Sequence, residues 1–349
     1  MKQVKNLHML IMYLLFMTIF LQCTKDQVPV ESISLNKTTL ILTIGTSETL
    51  LATTLPENAS SNKVTWASSN SEIASVDFEG KVLAKKVGEA TITATTKDGG
   101  KTAICEVKTT KYALYPLGNG KYEQGVKVAG IVWAPVNCGF EAPNGDYKGY
   151  PYGKLYQWGR KYGHGYNGPL YINETTNSSI SDATYPTKES GTIISGQVSF
   201  NEGNSEINKN NFYYLSDTWC TESLTEWSHS KGNDPCPDGW RLPTYEELKL
   251  LSDGKKSDFT TDESGLNGYY FTGNNDYSPN LENKVFFPAA GCRFYENGKA
   301  YYRGNYGIYW SSSIYNANDS HNLSFLSFYV CMLYDHRAYG FSVRCVEDL

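Results

Sequence analysis

Charge is scarce in this chain. Asp, Glu, Lys and Arg make up 19% of its 349 residues, and Lys and Arg nowhere gather into a block. Without a basic stripe there is no footprint for a phosphate backbone, so nucleic acid is excluded as a partner. The 27 tyrosines do not restore it, because base stacking without a basic groove has nothing to hold the phosphates. Signatures of catalysis are missing too. The sequence holds no Gly-x-Ser-x-Gly elbow and no His-Glu-x-x-His helix, the arrangements that expose a serine nucleophile or seat a zinc ion. His164, His229, His321 and His336 stand at no metal-ligand spacing. Paired carboxylates for glycoside cleavage are defined by separation in space, which sequence does not give. No metal or cofactor is expected; calcium at Asn316–Asp319 lacks a ligand spacing.

What is abundant is tyrosine and glycine (31), a profile that suits short strands and turns more than long surface helices. The length allows two domains. The N-terminus carries Lys2 and Lys5, then an apolar run from Leu7 to Leu21 of about 15 residues, short of the roughly 20 that span a bilayer. It closes on Phe20-Leu21-Gln22-Cys23, which resembles a bacterial lipoprotein signal with Cys23 as the lipidated residue, although Gln22 replaces the usual small residue. The following Thr24-Lys25-Asp26-Gln27 is similar to the signals that send Bacteroidota lipoproteins to the cell surface. The expected location is therefore the outer membrane, surface-exposed, with the membrane itself as a partner through the lipid. Loss of Lys2 and Lys5 on cleavage takes the formal charge from −5 to −7. Seven cysteines remain, Cys105, Cys138, Cys220, Cys236, Cys292, Cys331 and Cys345. An odd count leaves at least one unpaired, and export permits disulfides without proving them.

From Val30 to about Thr109 the runs Thr39–Ile44, Lys63–Ala67, Ile73–Val76 and Ala90–Thr95 read as short strands. Phe78–Lys81 and Asp98–Lys101 are turns. A small sandwich around a buried Trp66 is expected, with Cys105 as a buried thiol in the last strand. The residues Lys63–Asn70, Ile73–Asp77, Gly80–Val82 and Gly88–Ala94 look like the bacterial immunoglobulin-like domain, group 2. That resemblance implies an immunoglobulin-like β-sandwich over 28–109, serving as a spacer on a surface protein.

Residues 110–120 read as a linker, and 121–349 as a second domain with a long loop over about 165–210. Its clearest stretch is Cys236-Pro237-Asp238-Gly239-Trp240-Arg241-Leu242-Pro243-Thr244-Tyr245-Glu246-Glu247-Leu248. Turn formers lead into a helix whose start is a Thr244/Glu247 capping box, with Leu248 and Leu251 inward and Gly254 as a left-handed stop. Glu246-Glu247 thus serves the helix start. Further on, Asn297-Gly298 marks a hairpin, and Ile308–Ser313, Leu323–Leu333 and Gly340–Val346 read as strands.

Leu155–Arg160, Cys236–Thr244, Ala290–Arg293, Gly307–Ser313 and Gly340–Val346 together resemble the Fibrobacter succinogenes major paralogous domain. The resemblance implies an exported surface protein with a C-type-lectin-like α+β fold, so the whole chain is expected to be mainly β with an α+β second domain. It supplies no activity. The related formylglycine-generating fold offers an enzymatic alternative, but Tyr302-Arg303-Gly304-Asn305 lacks the second glycine and the serine of the corresponding Arg-Gly-Gly-Ser element. Cys236 and Cys345 both lie in these motifs, and a disulfide between them is the simplest role for the pair. Two separately buried thiols, or a Cys236–Cys220 bond, remain open.

Recognition is the expected function, of a glycan or of another surface protein, with a structural or adhesin-tip subunit as the alternative. Aromatic faces beside amides hold a sugar by stacking on its C–H groups and meeting its hydroxyls. Tyr301, Tyr302, Asn316, Asn318 and Asp319 are the candidate ligand residues, with Tyr147, Tyr150, Tyr152 and Tyr166 as further contributors.

Overall fold

The computed structural model describes residues 27–118, 120–141, 152–164, 193–209, 211–273 and 284–348, and the backbone of 171–173 and 178–180. Cys23, Tyr147, Tyr150 and Tyr166 lie outside the described residues. Two compact units divide the chain, Met1–Lys111 and Tyr112–Leu349. No helix among the described residues is long and apolar enough to cross a membrane.

The first unit is all β. Its strands are β1 (Ser32–Leu35), β2 (Thr39–Thr43), β3 (Ser47–Thr49), β4 (Ala52–Leu55), β5 (Val64–Ser68), β6 (Ala74–Val76), β7 (Lys81–Ala84), β8 (Gly88–Thr96) and β9 (Thr102–Thr110). A four-stranded sheet in the order β2-β9-β8-β5 faces a three-stranded one, β3-β7-β6, and β1 pairs with β4. Strict alternation in β8 turns Ala90, Ile92 and Ala94 inward, and Ala90 and Ile92 join Val82, Cys105 and Val107 in one core. Cys105 is fully buried and free. Trp66 departs from expectation: it is half-buried and only packs against that core. The reason is its place on β5, an edge strand, over an interior already filled by small aliphatic side chains. Gly80 makes room for the ring. Its φ of +84° favours glycine, and a Cβ there would stand 2.7 Å from the indole.

The second unit is built from short strands around two large apolar cores and a smaller cluster at Tyr213, Trp219 and Cys220. The first core gathers Tyr115, Trp158, Trp227, Trp240, Trp310, Phe341, Cys236 and Cys345. The second holds Trp133, Phe271, Phe287, Tyr309, Phe325, Leu248 and Leu251. Trp133, Trp158, Trp219, Trp227, Trp240 and Trp310 are all buried. A buried indole N–H needs an acceptor, and each of the six finds a backbone carbonyl: Val128, Ser311, Trp158, Asn233, Leu114 and Tyr156 respectively. The rings therefore fill the interior and pin the chain around it at the same time.

Buried guanidinium groups act similarly. Arg344 donates to Asn137 Oδ1, Ala134 O and Phe286 O. Arg160 reaches Gly203 O, Asn208 O and Asn211 O. Burial pushes both down to about 10, so they stay charged at neutral pH. A planar group with five donors suits this task, because irregular backbone supplies carbonyls and no ladder partner.

The helix Tyr245–Asp253 starts on the expected capping box, with Thr244 accepting from Glu247 N and Glu247 reaching back to Thr244 N. Arg241 also grips the Glu247 carboxylate through two nitrogens, at 2.9 and 2.7 Å. Leu248 and Leu251 are buried, but Gly254 ends the helix in an extended conformation, φ −75°, ψ 176°, and not in a left-handed one.

Three other expectations change. Residues 110–120 are no linker: Leu114–Gly118 and Lys121–Gln124 form a hairpin whose Tyr115 is 2% exposed. Tyr115 meets Trp240 edge to face at 5.2 Å, so this segment is part of the second unit's core. Leu323–Leu333 is not one strand. Asp319–Leu326 and Tyr329–His336 pair antiparallel around Ser327-Phe328, which explains the broken alternation there. Within the expected loop over 165–210, Ile193–Ser195 pairs in parallel with Phe212–Tyr214, and Phe200–Gly203 forms one helical turn. Arg160 binds the carbonyls that follow that turn.

Candidate functional site

The candidate residues divide between two places. Tyr301 lies on the hairpin of Cys292–Arg293 and Ala300–Tyr301, whose turn carries Asn297-Gly298. Its ring stands 4.5 Å from Phe294, and its hydroxyl accepts from Asn297 Nδ2. Tyr302 has φ +64° and packs partly against the first core beside Tyr306. That strained position turns the ring toward the interior.

Asn316, Asn318 and Asp319 form the turn between Gly307–Ile314 and Asp319–Leu326. Asn316 Oδ1 accepts from the backbone N–H of Asn318 and of Asp319, and its Nδ2 donates to Asp319 Oδ2. Those groups are consumed in building the turn. The Asn318 side chain is exposed and lines a hollow of about 200 Å³ with Gln197, Thr218 and Glu222. From below, Arg337 donates to Asn316 O and to Ser320 Oγ and lies 4.5 Å over Trp158. Tyr152 is buried, which removes it from the surface set.

Aromatic and charged groups join the two places. Phe294 meets Tyr339 at 5.4 Å, Tyr339 meets Tyr295 at 4.8 Å, and Tyr295 meets His336 at 5.1 Å. His336 Nδ1 is 2.6 Å from Asp319 Oδ1, and its Nε2 is 3.8 Å from Asp217 Oδ1. On the other side of the turn, Tyr315 and Tyr334 stack face to face at 3.8 Å and 12°. They are 49% and 52% exposed. The turn thus stands between an open tyrosine pair and a histidine flanked by carboxylates.

Sequence reading missed Asp217, Phe294, Tyr295, Tyr315, Tyr334, His336 and Tyr339. Tyr295 and Phe294 adjoin the Asn-Gly turn, and Tyr315 adjoins Asn316, so proximity to a turn was an available signal for these three. Asp217 and Tyr339 are separated from the turn by strands and loops, and nothing local marks them.

The His336 imidazole stands between the Asp217 and Asp319 carboxylates. Burial holds the Tyr295 hydroxyl above its ordinary value, with Glu296, Asp217 and Asp319 adding to the effect. Asp335 pairs with Asn322, yet burial raises its carboxyl to about 6. An acid with a folded value above the unfolded one near 3.8 binds more protons when folded across that interval. Stability is then fullest below about pH 4 and falls as pH rises toward 6, by about 3 kcal/mol at most. Asp335→Asn is expected to cancel this contribution. In urea titrations, the variant gains on the wild type between pH 4 and pH 7; an unchanged difference sinks the account.

Residues 29–107 match the bacterial Ig-like domain (group 2), over the stretch that forms the β2-β9-β8-β5 and β3-β7-β6 sheets. The N-terminal unit is a bacterial Ig-like domain. Residues 269–346 match a domain of unknown function, DUF8237, in the unit that carries the turn and the tyrosines. An uncharacterized protein of Clostridium acetobutylicum is 43% identical over 89 residues, 25% of this chain and 9% of that protein. The kappa-carrageenase of Pseudoalteromonas carrageenovora is 43% identical over 79 residues, 23% of this chain and 20% of the enzyme. An Ig-like virion protein of Serratia phage KSP90 is 36% identical over 88 residues, 25% of this chain and 34% of that protein. The chain spans a fifth or less of the length of the first curated relatives it matches. Among solved structures, an intimin mutant of EHEC O157:H7 is similar at 26% identity and a TM-score of 0.18, over 26% of this chain and 42% of that one. Domains 5-6 of the S-layer protein SbsC are similar at 12% identity and a TM-score of 0.21, over 88% of this chain and 96% of that one. Beside the bacterial Ig-like domain, then, stands a mostly β unit whose matched family has no assigned activity.

Proposed function

We propose that this chain is an exported lipoprotein, anchored through Cys23 in the outer membrane and facing outward, that recognises a glycan without catalysis. The bacterial Ig-like domain is its spacer, and the second unit is a C-type-lectin-like domain of the Fibrobacter succinogenes major paralogous type. The observation that carries the binding role is the turn Asn316–Asp319 between the stacked Tyr315/Tyr334 pair and the Tyr295–His336–Asp217 group. Open tyrosine faces meet the C–H side of a sugar, and carboxylate, imidazole and amide groups beside them meet its hydroxyls. The thiols of Cys105, Cys138, Cys220 and Cys331 are all raised by burial, the opposite of an activated nucleophile.

A glycan array probed with the mature chain tests this reading. Binding is expected, with Tyr315→Ala and Tyr334→Ala each weakening it about tenfold or more, as the loss of a stacking contact of about 1.4 kcal/mol requires. An inert array, with the chain co-purifying in an envelope complex, overturns the glycan reading in favour of a structural subunit. Cys23→Ala is expected to move the protein from the membrane to the soluble fraction; a variant that stays with the membrane sinks the anchor.

A further inference from the structure

Three cysteines share one disulfide in the first core of the second unit. Cys236 is bonded to Cys345, and the sulfur of Cys138 lies with both of theirs in a group whose members are all within 4.8 Å of one another. Cys138 is a free thiol, 3% exposed. Nothing in the recognition role calls for a third sulfur at this position. We propose that Cys138 is an exchange thiol for the Cys236–Cys345 bond, so that this disulfide can isomerise within the folded protein.

The surroundings fit that chemistry at each step. The Cys138 S–H donates to Pro235 O at 3.1 Å, which sets its sulfur against the residue preceding Cys236. Tyr156 OH donates to the same sulfur at 3.3 Å and steadies a thiolate there. Tyr115 OH lies 3.7 Å from Cys345 Sγ, in position to donate to that sulfur as it leaves. Cys138, Tyr115, Tyr156, Pro235 and Pro237 line a hollow of about 480 Å³, through which hydroxide reaches the thiol. Cys138 gives up its proton to hydroxide, and its sulfur attacks Cys236 Sγ. The new S–S bond takes its electron pair from Cys138. The old bond's pair departs with Cys345, which becomes a thiolate and then a thiol by taking a proton from water. One thiol and one disulfide stand on each side, so no oxidant or reductant enters.

The consequence is mechanical. In the native pairing the bond ties the start of the helix to the final strand, Val346–Glu347, which lies between Ile131–Trp133 and Trp240–Arg241 in its sheet. In the exchanged pairing that strand loses its covalent tie. Burial keeps the Cys138 thiol up at about 11, so at neutral pH the thiolate is scarce and the native pairing persists.

The test is disulfide mapping of the folded full chain after incubation at pH 7 and at pH 10, each quenched in acid and alkylated. At pH 7 the Cys236–Cys345 bond is expected throughout. At pH 10 a Cys138–Cys236 bond is expected, with Cys345 alkylated, and Cys105, Cys220, Cys292 and Cys331 still in the thiol form. In a second arm, Cys345→Ser held in a glutathione redox buffer is expected to form Cys138–Cys236. A wild type that keeps one pairing at pH 10 overturns the proposal, as do bonds to the four remote cysteines, which signal unfolding. So does a Cys345→Ser protein with native near-ultraviolet dichroism in which Cys138 and Cys236 are both alkylated.

Discussion

Replacing Cys236 and Cys345 together by alanine is expected to cost about 4–5 kcal/mol of stability in the second unit. The two residues are 109 positions apart, and closing a loop of about 100 residues in the unfolded chain is worth about 4.7 kcal/mol in the chain-entropy account. Both side chains are buried, Cys345 completely, so alanine also leaves a small void against Tyr115 and Trp240. The double variant is the proper test, because a single one leaves a partner for Cys138. The loss is read from urea unfolding, with the wild type under reductant as a second route to the same state. The effect concentrates at the last strand, where Glu347 accepts from Ala113 N and Val346 is paired with both Trp133 and Arg241. A loss under 1 kcal/mol for the double variant would show that the indoles and arginines close this core unaided.

The parts of the second unit that could be read from sequence are those written locally. The Thr244/Glu247 capping box needs only four residues, and the hairpin at Asn297-Gly298 only a turn signal. The motif residues Trp158, Arg160, Trp240, Trp310 and Arg344 carry the family resemblance, and all five are buried. They describe how the fold is held, which is why they say nothing of a ligand. Charge misleads at this point, because an arginine in sequence reads as surface. Arg160, Arg337 and Arg344 are instead internal clamps on irregular chain. Many strands are two residues long, too short for alternation to register, and Ser327-Phe328 turns the chain without glycine, asparagine or proline. The surface set was legible only in part, for a different reason. Asp217, Tyr295 and His336 come from three separate segments and meet only through the fold, while Tyr302 was excluded by a backbone angle that sequence does not display.

Arg337→Met is expected to cost about 3–5 kcal/mol and to weaken recognition with it. The guanidinium, 2% exposed, donates to Leu224 O, Asn316 O and Ser320 Oγ and covers the face of Trp158. Methionine keeps much of the volume but leaves those acceptors without their donor, at about 1–3 kcal/mol each less what water from the adjoining hollow restores. Burial lowers the Arg337 value, and the charge of Asp319 opposes that shift. Arg337→Lys separates charge from geometry. An ammonium preserves the charge but cannot span Leu224 O and Asn316 O from one rigid plane, so an intermediate loss is expected. Because Arg337 N also donates to Asn318 O, the damage is local to the turn that positions Asn318, Asp319 and, through Asp319, His336. Hydrogen exchange at the Asn318 and Asp319 amides should rise in both variants while the helix Tyr245–Asp253 stays protected. Glycan affinity should fall in the order wild type, lysine, methionine. A lysine variant equal to the wild type in exchange and affinity would reduce Arg337 to a buried charge and leave the turn standing on its own asparagine bonds.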